Sequence, residues 1–166
     1  MLKKTVDIIE IEWLGSFDYK TALGTVNNIQ TDYGLYQIYG THAVFGSDSL
    51  LYIGKAQEQK IATRLGQHEK WLNKEHGEIK IYIGRLGSVT RPIDGNQWGT
   101  EIDFAERLLI YNCAPPYNTT NLTDFGQVSD TFVINYGKRH RLPFVVSTFS
   151  RDGDFYNNSE WKKYSL

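Results

Sequence analysis

Two tyrosine motifs and a basic helix hold the residues whose types and spacing indicate chemistry. Gly34-Leu35-Tyr36 and Tyr52-Ile53-Gly54 lie in short apolar runs, so both phenols are predicted on strands. Arg64 and His68 follow four residues apart, which places both side chains on the same side of a helix. A guanidinium can hold two oxygens of a phosphate in a fork, while phenols and imidazoles can transfer protons. The set is therefore capable of acid–base chemistry on a bound phosphate group.

Each candidate residue also has an ordinary structural interpretation. The chain contains eleven Tyr, and tyrosine is common in strands. Arg64 alone fits a solvated helix surface, and His68 lies on the apolar stripe of its helix, where a buried histidine with satisfied hydrogen bonds is usual. Glu106 could pair with a neighbouring Lys or Arg, and Asn118 after Pro116-Tyr117 fits a turn. Only the joint order of these residues along the chain favours a function.

The ordered set resembles the GIY-YIG nuclease family. Gly34-Leu35-Tyr36 and Tyr52-Ile53-Gly54 are similar to the two strand motifs for which the family is named. The helix that follows in this family often carries Arg-x-x-x-His, and a later helix carries a metal-binding glutamate, here matched by Glu106. The stretch Pro116-Tyr117-Asn118 resembles the proline-to-asparagine stretch after that glutamate. The resemblance covers residues 34–118, about half of the chain.

The chain departs from the family pattern at identifiable positions. Leu35 replaces the isoleucine of the first motif, which exchanges one apolar side chain for another. The connection between the two motif strands is predicted to be longer than in the minimal family hairpin, with an elaborated loop through Phe45. Tyr82-Ile83-Gly84 repeats the second motif, but no Arg-x-x-x-His helix follows it before Glu106. We therefore assign the second motif to Tyr52-Ile53-Gly54.

The resemblance implies a DNA endonuclease that depends on Mg²⁺ (or Mn²⁺) and leaves 5′-phosphate and 3′-hydroxyl ends. The size of the chain and its terminal segments favour a stand-alone, restriction-type enzyme. A DNA-repair or branched-DNA nuclease of the same family is the alternative, although one cysteine cannot build the zinc module of some branched-DNA nucleases. A catalytically inactive nucleic-acid-binding module is the alternative from another functional class.

The resemblance also implies roles for the matched residues. The candidate catalytic residues are Tyr36, Tyr52, Arg64, His68, Glu106 and Asn118. Glu106 would be the one direct protein ligand of a metal that keeps several waters. Arg64 would fork across phosphate oxygens, and His68 would share the proton transfer or bind phosphate. Tyr36 is the favoured general base, with Tyr52 orienting water or phosphate, but the sequence does not decide between the two tyrosines.

The net charge is the compositional feature that argues against DNA binding. The chain has a formal net charge of −1, whereas DNA-binding surfaces are basic, so its cations must be concentrated on one face. The DNA-binding candidates are Lys55, Lys60, Lys138, Arg139 and Arg141. The last three belong to one basic cluster, which fits either a solvated hairpin loop or a phosphate-contacting finger beside the site. Lys55 would in addition lower the pKa of a nearby phenol from its ordinary value of about 10.

Cysteine content and hydropathy predict a cytoplasmic protein. Cys113 is the single cysteine, so it forms no disulfide within the chain. The first residues lack the apolar core of a signal peptide, and no run reaches the roughly 20 apolar residues of a membrane span. We expect DNA as the partner and no membrane association, and the sequence leaves the oligomeric state open, a homodimer included.

Hydrophobic periodicity predicts the elements that must position these residues. The predicted strands are 6–13, 34–40, 50–54, 79–84, 131–136 and 144–149, with a turn at 46–49 inside an antiparallel hairpin and a second hairpin formed by the last two. Helices are predicted over 19–23 and over 57–76, the latter stopped by Gly77. A third helix is predicted from the cap Thr100 to Pro115-Pro116, with Glu101 and Asp103 in its first turn.

This order of strands and helices predicts one α+β domain over residues 1–166, with a small central mixed or antiparallel sheet flanked by helices. A GIY-YIG-like core would span about 33–120. An N-terminal extension, residues 1–32, would add a strand, and a C-terminal extension, residues 121–166, would add a hairpin.

Overall fold

Strands of one sheet organise the described part of the chain, which is residues 6–26, 33–87 and 95–150 of the computed structural model. The strands are β1 (Asp7–Phe17), β2 (Gly34–His42), β3 (Gly46–Ala56), β4 (Lys80–Leu86), β5 (Thr131–Gly137) and β6 (Val145–Ser147). The helices are α1 (Tyr19–Thr25), α2 (Ile61–Gly66), α3 (Glu69–Leu72) and α4 (Gly95–Cys113), and a 3₁₀ turn covers Thr148–Ser150. The sheet has the order β3-β2-β4-β1-β5-β6. This mixed sheet with its helices confirms the predicted α+β class.

The N-terminal strand and the C-terminal hairpin continue the same sheet that carries the tyrosine motifs. β1 pairs antiparallel with β4 and parallel with β5, and β5 pairs antiparallel with β6 as predicted. The two tyrosine strands, β2 and β3, are antiparallel neighbours, and β2 also pairs with β4. No helix in the described ranges has the length and apolar character needed to cross a membrane.

Alternate side chains of β2 are buried on opposite faces of the sheet. Leu35 and Tyr39 pack into the core cluster that includes the buried face of α4. Tyr36 and Ile38, which alternate with them, pack into a second cluster with residues of α1 and α2. Because successive side chains of a strand point to opposite faces, Tyr36 faces α1 and α2 rather than α4. This placement decides which groups surround its hydroxyl.

The predicted long helix over 57–76 is wrong, because the chain forms two short helices, α2 and α3. At the break, the Gln67 and His68 amides donate to the carbonyls of Arg64 and Leu65, three residues back. This tightened turn lies next to Gly66, a residue of low helix propensity. At this break, His68 contacts Tyr36 of the sheet. The apolar spacing that suggested one continuous helix is therefore shared by two short helices.

Two other boundaries also differ from their prediction. α4 begins at Gly95, so Thr100 lies inside the helix and is not its cap. The predicted turn at 46–49 is part of β3, and the connection between β2 and β3 is only residues 43–45, so the predicted elaborated loop is also wrong. Register shifts in the β2–β3 ladder accommodate the polar residues there, as bulges do. The end of α4 at Cys113, before Pro115, agrees with the prediction.

Candidate active site

Close approach of neighbouring strands explains why each motif contains a glycine. Tyr36 on β2 is paired with Gly54 on β3. A Cβ on Gly54 would lie 2.4 Å from the Tyr36 hydroxyl oxygen, so any larger residue would displace that phenol. Gly34 has φ +142°, and a Cβ there would lie 2.3 Å from the carbonyl oxygen of Gly84. Both motif glycines are therefore required by the packing that places Tyr36.

Three polar side chains surround the Tyr36 hydroxyl, although its residue is 0% exposed. His68 Nε2 lies 2.7 Å from the hydroxyl oxygen, and Arg64 forms a hydrogen bond with the same phenol. Tyr52 lies beside it, with ring centroids 6.1 Å apart, and burial raises the pKa of Tyr52 while Arg64 and Tyr36 lower it. The structure thus brings together four of the predicted catalytic residues on one side of the sheet.

Burial is the largest influence on the pKa values of Tyr36, Tyr52 and His68. It raises the pKa of Tyr36 well above its ordinary value, and the charge of Arg64 opposes the rise only in part. Burial also raises the pKa of Tyr52, again against the effect of Arg64. The pKa of His68 is lowered to about 4 by burial and by the Arg64 charge, so its ring is neutral at neutral pH. The histidine therefore acts here as a neutral hydrogen-bonding group.

The acidic part of the site comes from α4. Lys55 Nζ lies 3.2 Å from Glu106 Oε2 and also pairs with Asp103. Burial raises the pKa of Glu106, and Lys55 opposes this rise. For Lys55, burial lowers the pKa, but the hydrogen bonds and negative charges of Asp103 and Glu106 together outweigh burial, so the net shift is upward. Asp103 Oδ2 in turn lies 2.5 Å from Arg107 Nη2.

Asn118 holds the chain after α4 against β3. Its Oδ1 accepts a hydrogen bond from the Ile53 amide at 3.0 Å, and its Nδ2 donates to the Ile53 carbonyl at 2.8 Å. The Tyr117 amide donates to the Leu51 carbonyl at 3.0 Å. Both polar ends of the amide are therefore occupied by β3 backbone between Tyr52 and Gly54. Asn118 is placed as a positioning residue for the second motif.

An open cavity of about 520 Å³ lies beside β3, which is an edge strand of the sheet. It is lined by residues of the tyrosine cluster and of α4, together with Asn118. Five predicted site residues line it: Tyr52, Lys55, Arg64, Glu106 and Asn118. Asp103 and Arg107 line it too. Neither was predicted for the site, although Asp103 lies three residues before Glu106 and four before Arg107, which was a usable helical signal. Asp103 was instead assigned to a helix terminus because the helix start was predicted wrongly.

Tyr36, His68 and Lys60 are not among the residues that line the cavity. Tyr36 and His68 lie directly behind Tyr52, because the His68 and Tyr52 ring centroids are 4.8 Å apart. Lys60 is the N-cap residue of α2. The cavity wall therefore presents Tyr52, not Tyr36, to an incoming substrate.

The basic cluster of the late hairpin lies elsewhere. His140 Nε2 and Arg141 Nη2 contact Asp48 Oδ2 at 2.9 and 3.2 Å. The His140 ring stacks on Tyr82 with centroids 5.1 Å apart. Asp48 precedes Lys55 by seven residues of β3, roughly 23 Å of extended strand. His140 and Arg141 are therefore held towards the opposite end of β3 from Lys55, and these contacts favour the solvated hairpin loop over the phosphate-contacting finger.

Arg139 and Lys138 have local backbone partners in this loop. The Arg139 guanidinium donates to the Leu142 carbonyl, and the Lys138 amide donates to the Trp13 carbonyl at 2.8 Å. Asp48 also pairs with Lys80, at 3.2 Å. The cluster fixes the hairpin loop against the far end of β3 and β4.

Within the described residues, no three His, Cys, Asp or Glu side chains are grouped as a ready-made metal site.

Comparison of this chain with family models, with curated proteins and with solved structures finds no match.

Proposed function

We propose that this protein is a metal-dependent endonuclease that hydrolyses DNA phosphodiester bonds in the cavity at the edge of β3. One observation carries the proposal. Tyr52 and Lys55 of β3, Arg64 of α2 and Glu106 of α4 line the same cavity, although they come from three separate segments. Convergence of a phenol, a guanidinium and a desolvated carboxylate is the arrangement that phosphodiester hydrolysis requires.

Glu106 fits a binding site for Mg²⁺ (or Mn²⁺). Its side chain is 13% exposed, and the pKa of its carboxyl is raised by burial, so its negative charge lacks full hydration. In this structure the Lys55 ammonium compensates that charge from 3.2 Å. A hard divalent cation prefers such carboxylate oxygens together with water. When bound, the metal supplies charge neutralisation at the phosphate and at the departing 3′-oxygen.

Arg64 is placed to hold the phosphate and to tune the phenols at the same time. It lines the cavity and hydrogen-bonds to both Tyr36 and Tyr52. Its five N–H donors allow contacts to the phenols and to phosphate oxygens together, which an ammonium group could not match.

Tyr52 replaces Tyr36 as our choice of general base. Tyr36 is 0% exposed, whereas Tyr52 lines the cavity. A base must reach the proton that it removes within hydrogen-bond distance. The hydrogen bonds that lower the pKa of Tyr52, from Arg64 and Tyr36, oppose the rise caused by burial. In this arrangement Tyr36 does not line the cavity and acts by lowering the pKa of Tyr52.

DNA contacts are assigned to cations around the cavity, in place of those on the hairpin. Lys55, Arg64 and Arg107 line the cavity, and Lys60 begins the helix that carries Arg64. Concentrating cations on one face allows a chain of net charge −1 to hold a polyanion. A cytoplasmic location and a restriction-type role complete the proposal, with a repair nuclease as the alternative role.

Nicking of supercoiled plasmid tests the proposed function. Purified protein should convert plasmid to nicked or linear forms with Mg²⁺, and excess EDTA should stop the reaction. Glu106→Gln should bind DNA without cutting it. Wild-type protein that binds DNA but never cuts, across Mg²⁺ and Mn²⁺, would instead support an inactive binding module. Sequencing the ends cut from genomic DNA then separates a restriction-type enzyme, with one recurrent sequence, from a nuclease that reads DNA structure.

A further inference from the structure

Trp71, His68 and Tyr36 form a hydrogen-bonded row that leads to Tyr52 at the cavity. Trp71 Nε1 donates to His68 Nδ1 at 3.0 Å. His68 Nε2 lies 2.7 Å from the Tyr36 hydroxyl oxygen. The Tyr36 and Tyr52 rings lie side by side with centroids 6.1 Å apart. Burial raises the pKa of Tyr52, and Tyr36 lowers it, as a donor to its phenol oxygen does. Of these four residues, Tyr52 lines the cavity.

The direction of donation along the row is fixed at Trp71, because an indole N–H can only donate a hydrogen bond. His68 Nδ1 accepts from Trp71 and must therefore hold a lone pair. A neutral imidazole with a lone pair on Nδ1 carries its hydrogen on Nε2. His68 Nε2–H then donates to the Tyr36 oxygen, and the Tyr36 hydroxyl keeps its own hydrogen for Tyr52. The lowered pKa of His68, about 4, is consistent with a neutral ring.

We propose that Trp71 is a positioning residue of the active site, which fixes the tautomer of His68 and thereby makes Tyr36 donate towards Tyr52. This inference rests on the proposed function for its catalytic meaning, but the tautomer itself does not depend on activity. With the row directed this way, a phenolate on Tyr52 receives a hydrogen bond from Tyr36. With Nδ1 protonated instead, His68 Nε2 would accept the Tyr36 hydrogen and leave Tyr52 without this donor.

Packing holds Trp71 independently of its N–H group. Its ring meets Tyr117 edge to face with centroids 5.3 Å apart, and His68 similarly at 5.7 Å. The residue is half-buried against the cluster of the α1–α2 face. Trp71→Phe should therefore retain most of the ring contacts while removing the donor. A matched control is Trp98→Phe, which removes an indole from the opposite core cluster.

Nitrogen NMR of protein labelled with ¹⁵N-histidine measures the tautomer directly, with His68→Gln used to assign the His68 signals. We expect the wild-type protein at pH 7 to show His68 with hydrogen on Nε2 and none on Nδ1. Trp71→Phe should shift the population towards the Nδ1-protonated form, while Trp98→Phe should not. Tyr36→Phe should keep the wild-type tautomer, because Trp71 and not Tyr36 selects it. A wild-type His68 protonated on Nδ1, or an unchanged tautomer in a folded Trp71→Phe, overturns the inference.

The pH dependence of cleavage gives the second measurement. Trp71→Phe should shift the alkaline rise of kcat/KM to higher pH, because the Tyr52 phenolate loses a directed donor, and Trp98→Phe should leave it in place. A tautomer as expected without any cleavage would refute the proposed function alone. Cleavage with an unshifted profile in Trp71→Phe would refute the role of Trp71 alone.

Discussion

The Lys55 ammonium bridges two carboxylates of α4: its Nζ lies 3.2 Å from Glu106 Oε2 and also pairs with Asp103. Asp103 and Glu106 are three residues apart, so they share one face of the helix. Because burial raises the pKa of Glu106, the charged form of this carboxyl depends on a neighbouring cation. In the proposed enzyme Glu106 exchanges the ammonium for a metal, and Lys55 keeps Asp103 as its partner.

Glu106→Gln tests this exchange. We expect at least a tenfold loss of Mn²⁺ affinity and no detectable cleavage, because an amide oxygen carries no charge to hold the metal. DNA binding should remain nearly intact, since Lys55 still pairs with Asp103. Calorimetric titration with Mn²⁺ and plasmid nicking measure the two effects, and Glu101→Gln on the same helix serves as the control. Wild-type cutting in excess EDTA, or full activity of Glu106→Gln, would contradict the metal site.

Arg64→Lys tests the phosphate clamp. The substitution keeps one positive charge but removes the fork that reaches both phenols and phosphate. We expect kcat/KM for DNA cleavage to fall by about 10²-fold or more, which corresponds to about 2.7 kcal/mol of transition-state stabilisation. The control is Lys60→Arg, a conservative change at the start of the same helix. If Arg64→Lys cuts like the wild type, Arg64 is an ordinary surface residue.

The two tyrosines should respond differently to removal of the hydroxyl. Tyr52→Phe should lose about 10²–10⁴-fold in rate together with the alkaline rise in activity, as expected for a general base. Tyr36→Phe should lose less activity and keep an alkaline rise, shifted to higher pH because the Tyr52 phenolate loses the Tyr36 donor. It should also lose about 1–3 kcal/mol of stability, because His68 Nε2 is left without its partner beside the buried ring. The reverse pattern in the pH–rate profiles would return the role of base to Tyr36.

Local sequence patterns predicted most of the elements but fewer of the contacts. The motif strands could be predicted because Tyr36 and Tyr52 lie in short apolar runs between polar segments. The pairing of Tyr36 with Gly54 could be expected once both motifs had been identified. The break between α2 and α3 could not, because the stripe through Leu65 and His68 keeps helical spacing across it. There the contacts of His68 with Tyr36 and Trp71 accompany the break, and the apolar spacing alone does not reveal them.

The sequence predicted least well where each element lies relative to the others. The parallel pairing of β1 with β5 joins Asp7 to Thr131, a contact that no local pattern encodes. That pairing carries the hairpin loop to Asp48 and away from Glu106. The sequence showed a cluster of basic residues, but only the sheet order shows which end of the molecule it faces.

Salt dependence of DNA binding distinguishes the cavity cations from the hairpin cations. Each lost phosphate contact on duplex DNA should reduce the log–log slope by about 0.9. Arg107→Gln, in the cavity wall, should therefore flatten the slope. The double variant Lys138→Ala, Arg141→Ala should leave it unchanged and retains Arg139, which supports the loop through Leu142. Fluorescence anisotropy over a range of salt concentrations measures both slopes. A flattened slope in the hairpin variant would place DNA on that face instead.

The half-buried, neutral His68 should make the protein sensitive to acid. The pKa of His68 is about 4 in the folded chain and about 6.5 in an unfolded one, so between these values the unfolded state binds more protons. The stability contributed by the neutral ring is complete above pH 6.5 and is lost as the pH falls towards 4. His68→Gln keeps a side-chain N–H donor for Tyr36 but does not titrate. Urea unfolding at pH 7 and pH 5 should show the wild-type free energy of unfolding falling by about 1–2 kcal/mol more than that of His68→Gln. Equal falls in the two proteins would mean that His68 titrates normally and is not held neutral between Trp71 and Tyr36.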